Sequence, residues 1–288
     1  MHHKKTLLAV IVLSLFATQT DAAKQSSKRK YQLQYKFKMG EVLRYRVRHA
    51  TDIRTTIEET TQEAESTSDS VKAWKVTDVL PNGEMEFVHV VETVRMTNTV
   101  PNRGTTKFDS EVDKTPPVGF EQAARAVGVP LSVIRIKPDG EIVQREEKHP
   151  QPPATDDMPI TLRLPSKPVA VGQQWDSNYN IDAQRRNEAK LKVQTRRVCT
   201  LKSVKAGIAT IAVEYQILSP VSAYVESQLV SKLTKGTVRF DIEAGRMVSQ
   251  KQDTDRRVIG FSGKASSMHF VSRLEERLLK KGERLARK

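Results

Sequence analysis

Apolar side chains at every second position recur along this chain. That period calls for β-strands with one dry face. Tyr31, Leu33, Tyr35 and Phe37 alternate with Gln32, Gln34 and Lys36. Leu43, Tyr45 and Val47 alternate with Arg44, Arg46 and Arg48. Ala209, Ile211, Val213, Tyr215 and Ile217 form the longest such run, and Val238, Phe240 and Ile242 form another. Residues 74–80 read as a strand before the turn Pro81-Asn82-Gly83. Met85, Phe87, Val88, Val90, Val91 and Val94 are apolar on both faces, the mark of a strand inside a sheet. Residues 131–136 lead into Pro138-Asp139-Gly140 and Ile142-Val143, a hairpin by its turn residues. The expected fold is mainly β: large antiparallel sheets, either a curved half-barrel or a sandwich.

Two segments within this pattern are nearly alike. Gly104-Thr-Thr-Lys-Phe-Asp-Ser-Glu111 and Gly236-Thr-Val-Arg-Phe-Asp-Ile-Glu243 share five identities. They follow similar landmarks. Gly40-Glu-Val-Leu43 corresponds to Gly172-Gln-Gln-Trp175, and Pro81-Asn82-Gly83 to Lys205-Ala206-Gly207. Turn glycine, hairpin glycine and octapeptide in the same order suggest two degenerate repeats. Neither half has enough strands to cover its own apolar faces, so one continuous domain is expected.

Composition divides the rest of the chain. Lys4 and Lys5 precede the apolar residues 7–17, and Asp21-Ala22-Ala23 follows. That order predicts a secretory signal peptide over residues 1–22, too short for a membrane span of about 20 apolar residues. Residues 23–30 read as a disordered leader and residues 31–147 as the first β repeat. Residues 148–159, with Pro150, Pro152, Pro153 and Pro159, read as a connector. Residues 160–271 read as the second repeat. Short helices are harder to place. Residues 121–127, stopped by Gly128, are the best candidate within the domain. Val221, Val225, Leu229 and Leu233 fit a helical stripe or one face of a strand; Ser, Thr and Val content favours the strand. Residues 272–288 read as a basic helical tail, with Leu274, Leu278 and Leu285 near one face. Its Arg273, Arg277, Lys280, Lys281, Arg284, Arg287 and Lys288 form a candidate contact for an anionic surface.

Charge and reactive residues narrow the function. Formal net charge is +14; loss of Lys4, Lys5 and Asp21 with residues 1–22 changes it by −1, to +13. Acidic partners are favoured by that sign. Nucleic acid is not expected, because no basic stretch is studded with aromatic residues for base stacking. Cys199 stands alone, so no intrachain disulfide forms, and its apolar neighbours make it a core residue. His49, His89, His149 and His269 are far apart, with no metal-ligand spacing. Gly260-Phe-Ser262-Gly263-Lys264 lacks the second glycine of a nucleophile elbow. No phosphate-binding loop is present, and adjacent pairs such as Glu58-Glu59 or Asp156-Asp157 sit in polar loops. No catalytic residue, metal or cofactor is therefore assigned.

The motifs Tyr35-Lys-Phe37-x-x-Gly40-Glu41, Leu164-Pro165-x-x-Pro168-Val169-x-x-Gly172-x-x-Trp175 and Phe240-Asp241-x-Glu243-x-Gly245-Arg246 carry a resemblance. The chain resembles a group of uncharacterised exported β-rich bacterial proteins, often seen in planctomycete-like bacteria. The resemblance implies export and a β-rich fold. The group has no assigned activity, so no site residue follows from it. Three functions fit the sequence, in order of preference. The first is an exported, non-enzymatic binding or scaffold protein of the cell envelope. The second is a carrier of an apolar, lipid-like ligand in a curved sheet. The third is a hydrolase whose carboxylates the fold brings together. The corresponding partners are an envelope protein, an anionic surface or an apolar ligand.

Overall fold

The computed structural model describes residues 29–150, 160–186 and 190–283. Its strands are β1 (Lys30–Tyr31), β2 (Val42–Ile57), β3 (Thr60–Val79), β4 (Met85–Val100), β5 (Gly104–Asp109), β6 (Pro130–Ile136) and β7 (Ile142–Glu147). The later strands are β8 (Val169–Ala170), β9 (Gln174–Gln184), β10 (Lys190–Lys205), β11 (Ile208–Ile217), β12 (Lys235–Asp241), β13 (Arg246–Ile259) and β14 (Ser266–Leu278). Two short helices join them, α1 (Glu121–Ala126) and α2 (Ala223–Leu229). The fold is mainly β, as the alternation predicts. The proposed signal peptide, most of the leader and connector, and residues 284–288 of the tail lie outside the described residues.

Twelve strands build one antiparallel sheet in the order β7-β6-β4-β3-β2-β14-β13-β12-β11-β10-β9. β5 pairs with the far end of β4, residues 95–100, and β6 with its near end, residues 85–90. Consecutive hairpins dominate, and the sheet does not close. The polar run of residues 55–70 forms the tip of the β2–β3 hairpin, paired from Val42↔Lys75 to Ile57↔Thr60. Although six strand-to-strand steps separate β4 from β11, His89 and Tyr215 line one cavity. A flat sheet would hold them about 29 Å apart at about 4.8 Å per step. The sheet therefore curls around its apolar face.

One end of the curl is plugged. Residues 31–37 and 160–171 enter it, and β1 pairs with β8 there. Their backbones bond to two hairpin turns. Tyr35 N–H donates to Pro138 O at 2.7 Å, Lys36 N–H to Gly245 O at 2.9 Å, and Leu164 N–H to Asp139 O at 2.7 Å. Both turns need glycine. A Cβ on Gly140 would lie 2.5 Å from Leu162 O, and one on Gly245 would lie 2.5 Å from Lys36 Cβ. The backbone φ is also positive at both, +81° and +61°. The main core fills this end with Leu33, Tyr35, Phe37, Trp74, Phe87 and Phe240 among others. Trp74 stacks on Phe87 at 4.8 Å, and Tyr35 meets Phe240 edge-on at 5.4 Å.

The sequence landmarks fare unequally. Gly40 N–H donates to Val76 O while Val76 N–H donates to Glu41 O. Gly172 N–H likewise donates to Leu201 O while Leu201 N–H donates to Gln173 O. These two turns are geometrically alike. The octapeptides are not. Phe240 sits in the main core, whereas Phe108 packs with Val94 and Phe120 in a marginal cluster beside α1. In the sheet, Phe240 faces Ala209 on β11, and its positional counterpart is Ile136 on β6, which faces Met85 on β4.

Two segments with four-residue apolar spacing take the opposite form from the expected one. Residues 272–278 are not a basic helix; they are most of β14, at the middle of the sheet. Residues 221–233 are not a strand. Ser222 caps α2 by accepting the Val225 N–H, and a 3-10 turn over Val230–Lys232 follows. Positions i and i+4 coincide on both a helix face and a strand face, so spacing alone does not separate the two. Neighbours decide. Val225, Leu229 and Leu233 cover Ile181 and Val193 at the end of β9 and β10. Residues 272–278 complete the ladders of both β2 and β13.

Deleting residues 272–288 should abolish cooperative folding, since it exposes two long ladders at the sheet's centre. Loss of the near-ultraviolet circular dichroism signal and of the thermal transition is the expected result; a truncated chain melting like the full one would refute the placement of β14. Phe240→Ala should cost about 3–5 kcal/mol in denaturant unfolding, and Phe108→Ala less.

Candidate functional site

Beyond the plug, the curl encloses a cavity of about 320 Å³. Alternation aims its lining inward. β3 supplies Ser70, Lys72 and Trp74, β4 His89 and Val91, β10 Arg197, β11 Val213 and Tyr215, and β14 Leu274 and Glu276. On β13 a bulge shifts the pairing between Met247 and Ser249, so Met247 and Gln250 both face in despite their odd spacing. Residues 160–162 border the cavity on the plugged side.

Charged groups are buried in this lining. Lys72 Nζ lies 2.7 Å from Glu276 Oε1, and both side chains are largely shielded from solvent. Gln250 Nε2 donates to Glu276 Oε2 at 2.7 Å, Gln252 Nε2 to Gln250 Oε1 at 2.8 Å, and Thr234 Oγ1 to Gln252 Oε1 at 2.8 Å. The Lys72 ammonium also stands 5.5 Å from the Tyr45 ring centre and 5.2 Å from that of Trp74. Its charge is thus well matched. Arg197 differs. It is 3% exposed, yet no carboxylate lies within ion-pair distance among the described residues. Its Nη1 donates to Tyr215 OH at 3.3 Å, and its guanidinium lies 5.8 Å from the Tyr215 ring centre. Its Nε and the Trp74 Nε1 are buried without an acceptor among the described residues.

His89 is the third polar feature. Burial, then the charges of Lys72 and Arg145, push its pKa down to about 3, so the ring is neutral at physiological pH. Its Nδ1 has no partner among the described residues. Cys199 is buried in the main core, and burial raises its thiol to about 11, so it stays protonated and unreactive.

Other sequence candidates lie elsewhere. Arg273 faces Asp253 across the β13–β14 ladder, and Arg277 bonds Glu283 at 2.6 Å. Lys280 and Lys281 follow the strand in the exposed turn. Arg284, Arg287 and Lys288 lie outside the described residues. The expected basic helical face is therefore replaced by strand residues interleaved with Glu275, itself paired with Lys251 at 2.6 Å. His49 Nε2 lies 2.8 Å from Ser272 Oγ. Among the described residues no carboxylate orients that ring, and Ser272 is buried in mid-strand. No group of three or more potential metal ligands occurs among the described residues.

Arg197, Lys72, Trp74 and Glu276 escaped the sequence reading. A signal for Arg197 was present. It shares parity with Val193, Thr195, Cys199 and Leu201, so it is a charge in a dry row. Glu276 likewise stands between Leu274 and Leu278.

No family model matches the chain, and no curated protein matches it. Among solved structures it is similar to one described as "Lipid-protein interactions in lipovitellin", with 12% identity and a TM-score of 0.49. That match covers 88% of this chain and 27% of the other. So distant a likeness carries no argument about what this chain binds.

The neutral His89 gives an acid-sensitivity prediction. Below about pH 6.5 the unfolded chain takes up a proton that the folded ring refuses until about pH 3. Its stabilisation is therefore present above pH 6.5 and is lost as pH falls toward 3. Between pH 7 and pH 4, His89→Leu should lose about 3 kcal/mol less than the unaltered chain in urea unfolding. Equal losses would contradict the burial of the neutral ring.

Proposed function

We propose that this chain is an exported, non-enzymatic binding protein that carries a small, partly apolar ligand inside its curled sheet. The observation that supports the reading is the cavity itself. Side chains from opposite arms of the sheet line it, and Val47, Val91, Val213 and Leu274 give it an apolar side. Small-molecule sites take this form: concave, mostly apolar, with a few placed polar groups. A water's share of liquid volume is about 30 Å³, so about 320 Å³ suits a ligand of roughly ten non-hydrogen atoms. This favours the carrier over a scaffold, whose function asks for no interior space. The hydrolase is less well supported. Among the described residues the cavity has one carboxylate, Glu276, committed to Lys72 and Gln250, and glycosidase chemistry asks for two. Export rests on the expected signal peptide.

The test is organic extraction of the chain purified without detergent, followed by mass spectrometry. A compound of the stated size, near one per chain, is expected. Repeated preparations indistinguishable from the buffer blank would count against the carrier.

A further inference from the structure

We infer that the ligand carries one negative charge, a carboxylate, and that Arg197 is its counter-ion, with the Trp74 indole N–H as a second donor. This rests on the carrier reading above. Three observations support it. The first is a charge count. Among the described residues, the charged groups lining the cavity are Lys72, Arg197 and Glu276, and His89 is neutral. Two positive charges against one negative leave one positive charge. The positive group in excess is Arg197, because Lys72 and Glu276 hold each other at 2.7 Å.

The second is the cost of that excess. A buried charge with no opposite charge is among the most destabilising features a fold can hold. The side chains acting most strongly on Arg197 are Tyr215, Cys199 and Tyr179, with Tyr35 also interacting, and none of these is a carboxylate. Contact with the Tyr215 ring and hydroxyl offsets part of the cost, but leaves the net charge. Such a group persists where its charge serves a purpose, and the planar guanidinium fork matches a carboxylate.

The third is donor supply. Arg197 Nε and Trp74 Nε1 both lack an acceptor among the described residues, and both residues line the cavity. Buried donors need acceptors, and a carboxylate offers two oxygens with about four acceptor sites. A phosphate monoester, at about −1.5 to −2, would overshoot the single excess charge. The apolar side of the cavity then takes a short hydrocarbon chain.

Octanoate, with its neutral analogue octanol, is the probe. Titration calorimetry on the full chain at pH 7.5 should show octanoate binding at least tenfold tighter than octanol. Arg197→Met should lose at least tenfold for octanoate and less than threefold for octanol. Arg196→Gln, altered at the neighbouring position that faces the other side of the sheet, should leave both unchanged. Ligand-free Arg197→Met should melt at or above the temperature of the unaltered chain, because an uncompensated charge is replaced by an apolar group. If Arg197→Met fails to fold, Arg197 is a structural residue and the inference falls. A second readout needs no variant: the carboxyl of carbon-13-labelled octanoate, bound to the unaltered chain, should titrate below its free pKa. Titration at or above the free value overturns the counter-ion. Octanol binding as tightly as octanoate overturns the carboxylate while the carrier stands. Binding of neither probe contradicts both.

Discussion

The ladder between β2 and β14 holds the molecule together. It runs without a shift from Ser266↔Ile57 to Leu278↔Tyr45. Without it the chain would be two open sheets, each with a long unpaired edge. The same register sets the interior. Glu276 lies opposite Val47, and Leu278 opposite Tyr45, so the seam delivers both a carboxylate and apolar bulk to the concave side. A slip of one residue would turn Glu276 outward and strand Lys72 without its partner.

The interior is layered by polarity. The plugged end is an aromatic and aliphatic core around Trp74, Phe87 and Phe240. Next come Lys72, Glu276, Gln250, Gln252 and Arg197. Past them, apolar clusters resume under α2 and beside α1. Fully apolar filling would stabilise such a roll more simply, because buried ion pairs often roughly break even against hydrophobic replacements. A polar layer with one unmatched guanidinium is a local departure from stable packing, and such departures concentrate at functional sites.

Strand positions were legible because period two has few rivals: residues 209–217 and 238–241 fold as their alternation dictates, and the strand expected to run on through Ile242 ends at Asp241. The turns at Gly40 and Gly172 were legible because extended segments must reverse there. Residues 221–233 and 272–278 were misread for one shared reason, that four-residue spacing satisfies both a helix and a strand. Their partners lie far away in sequence, and only packing distinguishes them. The octapeptide match misled because similar side chains recur on any strand that follows a glycine turn, whatever it packs against. The site was half visible. Arg197 and Glu276 interrupt dry rows, but that they share one cavity follows from the curl, which local pattern does not encode.

The claim on which the rest depends is that the chain's last described strand lies in the middle of the sheet. Amide hydrogen exchange of residues 266–278 tests it most directly. These amides should exchange only through global unfolding, as slowly as those of β12. Exchange at the rate of a frayed terminus would contradict the seam, and with it the curl and the cavity.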